Sequence, residues 1–278
     1  MPSVADQMEE LLTACVGAGR FEQHWSCSGA MQGTRAGYAG TAVLTRLPLA
    51  GPSSRAQDLS SRPGLGEDLI VQGEGRHITL EFARFVLVTA YVPNAGAELG
   101  RLEYRLRHWD PALSRHLRGL EQETGKPVIL AGDLNVAFGV RDIHHFYRRP
   151  TFPEELEALP YNEQYKGVKA IRTSAGLTPE ERASFQKHYI DEGWVDAYRH
   201  CHPHAQGRFS YWSQRAKSRP MNRGLRLDYF LVSPGLVDEG AASSGGLRVS
   251  DCFIHDDDTF AALSDHCAVG LSLARAGE

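Results

Sequence analysis

The run Pro127-Val128-Ile129-Leu130, followed by Ala131-Gly132-Asp133-Leu134-Asn135, constrains the fold of this chain more than any other stretch. The unbroken apolar run predicts a buried strand. A strand sends alternate side chains to opposite faces, which places Asp133 and Asn135 on one side and Leu134 in the core. An acceptor-only carboxylate and an amide then stand together at the strand tip, either to cap a turn or to hold something charged.

The surrounding elements decide the fold class. Residues 5–16 predict a helix, with Met8, Leu11, Leu12 and Cys15 at helical spacing. Residues 38–46 read as a strand, residues 50–66 as an exposed Ser/Pro/Gly-rich loop, and residues 78–82 and 85–92 as a hairpin. Residues 98–120 carry a helical pattern broken near Pro111. Thr178, Pro179 and Glu181 spell a capped helix start. Residues 226–234 and 265–273 are late strands. Strands that neither alternate strictly with helices nor run continuously fit an α/β sandwich with mixed sheets better than a doubly wound parallel sheet.

With 278 residues, 42% of them hydrophobic, the chain can bury a large core, expected as one domain over residues 1–278. Lys and Arg total 30 against 34 Asp and Glu. Nucleic-acid binding would therefore need a local patch. One is present: Arg215, Lys217, Arg219, Arg223 and Arg226 occupy residues 215–226 without an acid, a pattern suited to backbone phosphates. An ordinary solvated loop is the competing reading. The five cysteines are scattered, with no CxxC, which predicts reduced thiols inside a cell rather than disulfides or a zinc site. Neither an apolar leader nor a membrane-length apolar run is visible, so no membrane partner is expected. The acidic run at 255–258 lacks calcium-loop spacing and reads as an exposed turn.

Four segments put polar residues at strand ends: Tyr91 with Asn94, Asp133 with Asn135, Asp228, and Asp265 with His266. In antiparallel neighbours the start of one strand adjoins the end of the next, so all four can meet along one rim. Each residue alone has a structural reading, as an Asx turn, a core histidine or a core tyrosine. A buried Asp228 needs a partner, and His266 is available. Together the set suits phosphodiester hydrolysis, because a divalent cation, an imidazolium and neutral donors all relieve the charge that develops on phosphate oxygens. No serine or cysteine nucleophile motif appears, which favours attack by water. Tyr211 and Trp212 are candidates to line a pocket for an extrahelical sugar, with core packing an equal account of either.

The segments "GYAGTAVLTR" (37–46), "FVLVTAYVPNAG" (85–96), "RLEYR" (101–105), "PVILAGDLNVA" (127–137), "AGLTPEER" (175–182), "RLDYFLVS" (226–233) and "LSDHCAV" (263–269) occur in the order found in the exonuclease III and abasic-site endonuclease family, which this chain resembles. That resemblance implies a four-layered, DNase I-like α/β sandwich and Mg²⁺-dependent (or Mn²⁺-dependent) hydrolysis 5′ to abasic sites in double-stranded DNA. Trimming of blocked 3′ ends is a related activity. It also implies a monomer, nuclear in a eukaryote and cytoplasmic in a bacterium. Carried over, the catalytic residues would be Tyr91, Asp133, Asn135, Asp228 and His266. Asn94 and the basic loop would contact substrate, and Asp133, Asn135, Asp265 and His266 would hold metal.

Two departures qualify the resemblance. Residue 1 leads directly into the helix that in the family follows a "QET" strand, so the chain is expected to lack the first strands and a metal-binding Glu. The Gln122-Glu123-Thr124 found here lies at a helix end and is not its equivalent. Leu225 stands where many abasic-site enzymes have Trp, which leaves incision and 3′-end trimming both open. The alternatives are a phosphatase or sphingomyelinase-like enzyme of the same fold, and a non-catalytic DNA-binding relative.

Overall fold

A computed structural model describes residues 10, 14, 21–29, 37–46, 57–58, 74–144, 153–238, 246–255 and 263–275. The expected helix over 5–16 and the acidic run at 255–258 fall almost wholly outside them; residues 10 and 14 are both helical.

Six strands form a mixed sheet in the order β3-β4-β5-β6-β8-β7, with β3 Gln57–Asp58, β4 His77–Glu81, β5 Val86–Ala90, β6 Val128–Asp133, β7 Val195–Asp196 and β8 Asp228–Val232. β5 and β6 are parallel and the other neighbours antiparallel. The predicted hairpin is β4–β5, closed by Phe82 N–H on the Phe85 carbonyl at 2.9 Å. The stretch 50–66, expected as loop, contributes an edge strand: Gln57 and Asp58 pair with Glu81 and Leu80. Two antiparallel pairs lie outside this sheet, β1 Phe21–Cys27 with β2 Gly40–Arg46, and β9 Leu247–Ile254 with β10 Val269–Arg275. Among the described residues the second sheet of the expected sandwich is thus two separate ribbons. No described helix is long and apolar enough to cross a membrane.

Side-chain alternation builds the layers. Val86, Val88 and Ala90 of β5, Val128 and Leu130 of β6, and Tyr229 and Leu231 of β8 face one way, onto helix α1 (Asp110–Thr124) through Leu113, Leu117 and Leu120. Leu87, Ile129, Phe230 and Val232 face the other way, toward Leu247, Val249, Leu271 and Leu273 of the β9–β10 pair. Each such aliphatic residue taken from water contributes about 1.5–3 kcal/mol. The β1–β2 pair lies against β4 and β5.

The helix does not break at Pro111. It runs from Leu102–Tyr104 through a π turn at Arg105–Trp109 into α1, and Pro111 sits in α1's first turn. Proline has no N–H to give to the carbonyl four residues back. The wider turn, with Asp110 N–H on the Arg105 carbonyl, carries the chain past that gap. Helix α2 (Pro179–Phe185) starts as predicted, with the Thr178 and Glu181 side chains capping each other's backbone N–H groups. Helix α3 (Ala197–Cys201) packs on β8 and β9.

A pocket at the tips of the central strands

β6 ends at Asp133, which pairs in register with Asp228, the first residue of β8. Residues of odd number on β6 and of even number on β8 face the ribbons, so both carboxylates point into the gap between the large sheet and the strand pairs. Gly132 makes the approach of β5 to β6 feasible. Its φ is +141°, and a Cβ there would lie 2.1 Å from the Ala90 carbonyl oxygen.

The strand does not continue to Asn135, as simple alternation predicts. Leu134 is buried as expected, but Asn135 takes a left-handed backbone, φ +49°. Its N–H donates to Asp133 Oδ1 at 2.8 Å, and its Nδ2 donates to the Val92 carbonyl at 2.8 Å and to Asp133 Oδ2 at 3.2 Å. Asn94 Nδ2 donates to Asn135 Oδ1 at 2.8 Å. Asp133 therefore caps a turn and walls a pocket at once.

Beneath this turn lies Arg105, 2% exposed, donating to the carbonyls of Leu134 at 2.7 Å and Asn135 at 2.6 Å and to Glu181 Oε1 at 3.2 Å. Glu181 Oε2 in turn accepts from the N–H groups of Gly176 and Thr178. The segments "RLEYR" and "AGLTPEER" thus meet under the pocket floor.

His266 Nδ1 lies 2.8 Å from Asp228 Oδ2. Burial alone would lower the imidazole pKa, but the hydrogen bond and charge of Asp228, with Asp133 and Asp265 behind it, raise it to about 9. Asp133 moves up to about 7, first through burial and then through the facing Asp228, against the pull of His266, the Asn135 N–H and Arg105. Tyr91 is raised as well, by burial and by Asp133, against Arg76, whose guanidinium stacks 4.8 Å from its ring centre.

Tyr91, Asn94, Asp133, Asn135, Tyr211, Asp228, Asp265 and His266 line one pocket of about 780 Å³. The four distant segments converge as expected. Asp265 and His266, however, sit before β10, where His266 bridges to Tyr211.

Other expectations need correction. Trp212 is 4% exposed and packs with Phe209 and Cys267, its indole N–H on Asn222 Oδ1, so only Tyr211 of that pair faces the pocket. Arg226 is no phosphate ligand: it is 1% exposed and bound to Asp142 and Asp196 through four hydrogen bonds. Arg215 and Lys217 are exposed, Arg219 stacks on Trp212, and Arg223 is half-buried; none lines the pocket. Sequence reasoning missed the apolar wall of Leu225, Leu227 and Phe230, the β2 residues Thr41 and Ala42, and Val269 of β10.

As a cation site the pocket offers oxygen donors. Among the described residues no three His, Cys, Asp or Glu side chains are grouped to hold a metal ion. Asn135 has its donors and one acceptor position engaged within the protein, and His266 Nδ1 is engaged by Asp228. Yet two carboxylates face each other across β6 and β8, and Asp133 carries a raised pKa. That excess of negative charge suits a hard dication, and Mg²⁺ needs only one or two carboxylates when substrate phosphates and water complete its shell.

The chain is similar to several known proteins. Residues 4–266 match the model of the Endonuclease/Exonuclease/phosphatase family. The chain is 36% identical over 235 residues to an exodeoxyribonuclease of Bacillus subtilis, covering 84% of this chain and 74% of that protein. It is 33% identical over 252 residues to a DNA-(apurinic or apyrimidinic site) endonuclease of Dictyostelium discoideum, covering 90% of this chain but 56% of that longer protein. The crystal structure of an AP endonuclease from Leishmania major superposes with a TM-score of 0.69 at 28% identity, covering 97% of this chain and 74% of that one. A 3′-5′ exonuclease from Neisseria meningitidis, at 20% identity and TM-score 0.63, shares the fold. With a family model spanning most of its length and relatives above 30% identity, the chain belongs to the endonuclease/exonuclease/phosphatase family, in its exonuclease III and abasic-site endonuclease branch.

Proposed function

We propose that this protein is a Mg²⁺-dependent phosphodiesterase of DNA repair that hydrolyses the backbone of double-stranded DNA 5′ to abasic sites, with action on blocked 3′ ends as a related activity. The observation that carries this reading is the meeting of Asp133, Asp228 and His266 with Tyr91 and Asn94 in one pocket at the strand tips.

Asp133, its carboxylate fixed by two hydrogen bonds from Asn135, orients the attacking water and takes its proton. His266, held by Asp228 through Nδ1, presents its other nitrogen to the phosphate as a cation and stabilises the charge on the pentacovalent oxygens. Tyr91 supplies a neutral hydroxyl donor, because burial keeps its proton on. Asn94 positions the phosphate. Asp133, with Asp265 lining the same pocket, would hold Mg²⁺ or Mn²⁺, which supplies charge neutralisation at the phosphate when bound. Leu225, Leu227 and Tyr211 form the apolar side against which a base-less sugar would rest.

Incision of a duplex carrying one tetrahydrofuran abasic analogue, with Mg²⁺ and then with EDTA, tests the reading. Cleavage that needs the metal and disappears in Asp133→Ala supports it. The second reading, a non-catalytic DNA-binding relative, is favoured by the lack of a three-ligand cluster among the described residues. Tight binding without incision would establish it instead.

A further inference from the structure

Ser210 lies one residue before Tyr211 and is 0% exposed. Its Oγ accepts two consecutive backbone N–H groups, from Leu227 at 2.9 Å and Asp228 at 3.0 Å. Its own carbonyl accepts the N–H of Cys267 at 2.9 Å, the residue after His266. The next two residues extend the splint: Tyr211 pairs with Leu225 and bridges to His266, and Trp212 N–H donates to the Asp265 carbonyl at 2.8 Å. The segment 210–212 is therefore tied on one side to the chain entering β8 and on the other to the chain bearing Asp265 and His266. Those two chains carry the partners of the 2.8 Å contact between Asp228 and His266.

We propose that Ser210 is a positioning residue for the Asp228–His266 pair, its hydroxyl fixing the backbone under Asp228 while its carbonyl fixes the backbone beside His266. A serine suits this place because a buried N–H without a partner is costly, and one hydroxyl oxygen here serves two. Alanine removes both acceptor contacts, frees the two peptide planes that flank Leu227 and lead into Asp228, and lets the carboxylate swing. Displacing a reacting group by about 1 Å costs roughly 100-fold in rate, and a loosened pair should lose between 10-fold and that amount.

The inference rests on the nuclease reading only for its rate measurement, so two readouts are taken on the full chain. The first is the proton NMR resonance of the hydrogen-bonded His266 Nδ1–H in metal-free protein. The second is kcat and KM on the abasic duplex with Mg²⁺. Ser210→Ala is expected to lose or broaden the resonance and to lower kcat by roughly 10- to 100-fold with KM little changed, while Ser210→Thr, which keeps the hydroxyl, retains both. A Ser210→Ala protein that keeps the resonance overturns the proposal, as does a folded Ser210→Thr protein that loses it. Should alanine prevent folding, the threonine variant alone decides. If the unaltered protein fails to cut the duplex, the nuclease reading falls, and the resonance still decides the role of Ser210.

Discussion

Replacing Asp133 with asparagine should make the metal-free protein more stable. Burial and the facing Asp228 raise this carboxyl from 3.8 to about 7. Between those limits the folded protein binds a proton that the unfolded chain releases, so stability falls as pH rises and levels off above 7. At 1.36 kcal/mol per pH unit the full penalty is about 4 kcal/mol. Part of that gain is forfeited on substitution. The new amide would aim a donor at Asn135 Nδ2, 3.2 Å away, a loss of about 1 kcal/mol. The net expectation at pH 8 is a gain of about 3 kcal/mol, which in a chain of this size raises Tm by about 5 °C. The gain should vanish near pH 4.5, where the native carboxyl is already protonated. Thermal unfolding in EDTA at pH 4.5, 6 and 8 measures it. A variant that melts below the unaltered protein at pH 8, or by an equal margin above it at every pH, refutes the reasoning. Added Mg²⁺ should raise Tm of the unaltered protein alone and so erode the difference.

Two further outcomes follow from buried charge. Arg226→Met should lower stability by about 3–5 kcal/mol in urea unfolding, because Asp142 and Asp196 lose the guanidinium that compensates them; a loss under 1 kcal/mol would show that the network contributes little. Burial, and then the neighbouring His77, push His116 down to about 3, so from pH 6.5 downward the unfolded chain takes up a proton the native state refuses, and, set against the opposite trend from Asp133, this one group contributes a slope of about 1.4 kcal/mol lost per pH unit of acidification. His116→Leu should flatten that slope between pH 6 and 4.5, and an unchanged slope would assign the acid sensitivity elsewhere.

What was legible in the sequence was what is local. A strand period, a capping box and a carboxylate at the end of an apolar run lie within a few residues of one another, and Thr178, Glu181 and Asp133 are found where the pattern put them. Adjacent residues of an extended segment point to opposite sides, so of Tyr211 and Trp212 only one could line the pocket, and spacing alone did not say which. Arg226 looks like its basic neighbours until Asp142 and Asp196, far back along the chain, are brought beside it. Arg105 and Ser210 act on backbone atoms of distant segments, and a backbone partner leaves no signature in residue types. The apolar wall escaped notice for the same reason: leucines that face a pocket are written like leucines that face a core.

The π turn at Arg105–Trp109 gives one helix two independent rotational settings. An α-helical residue advances the screw by about 100°, and a π turn takes up one residue more than the regular count. Ahead of that slip the helix delivers Arg105 to the carbonyls under the pocket; behind it, Leu113, Leu117 and Leu120 meet the sheet. Were the same residues wound as a regular α-helix throughout, one of these two faces would be rotated off its target by about 100°. The phase of the pocket floor and the phase of the core are thus reconciled by a single extra residue.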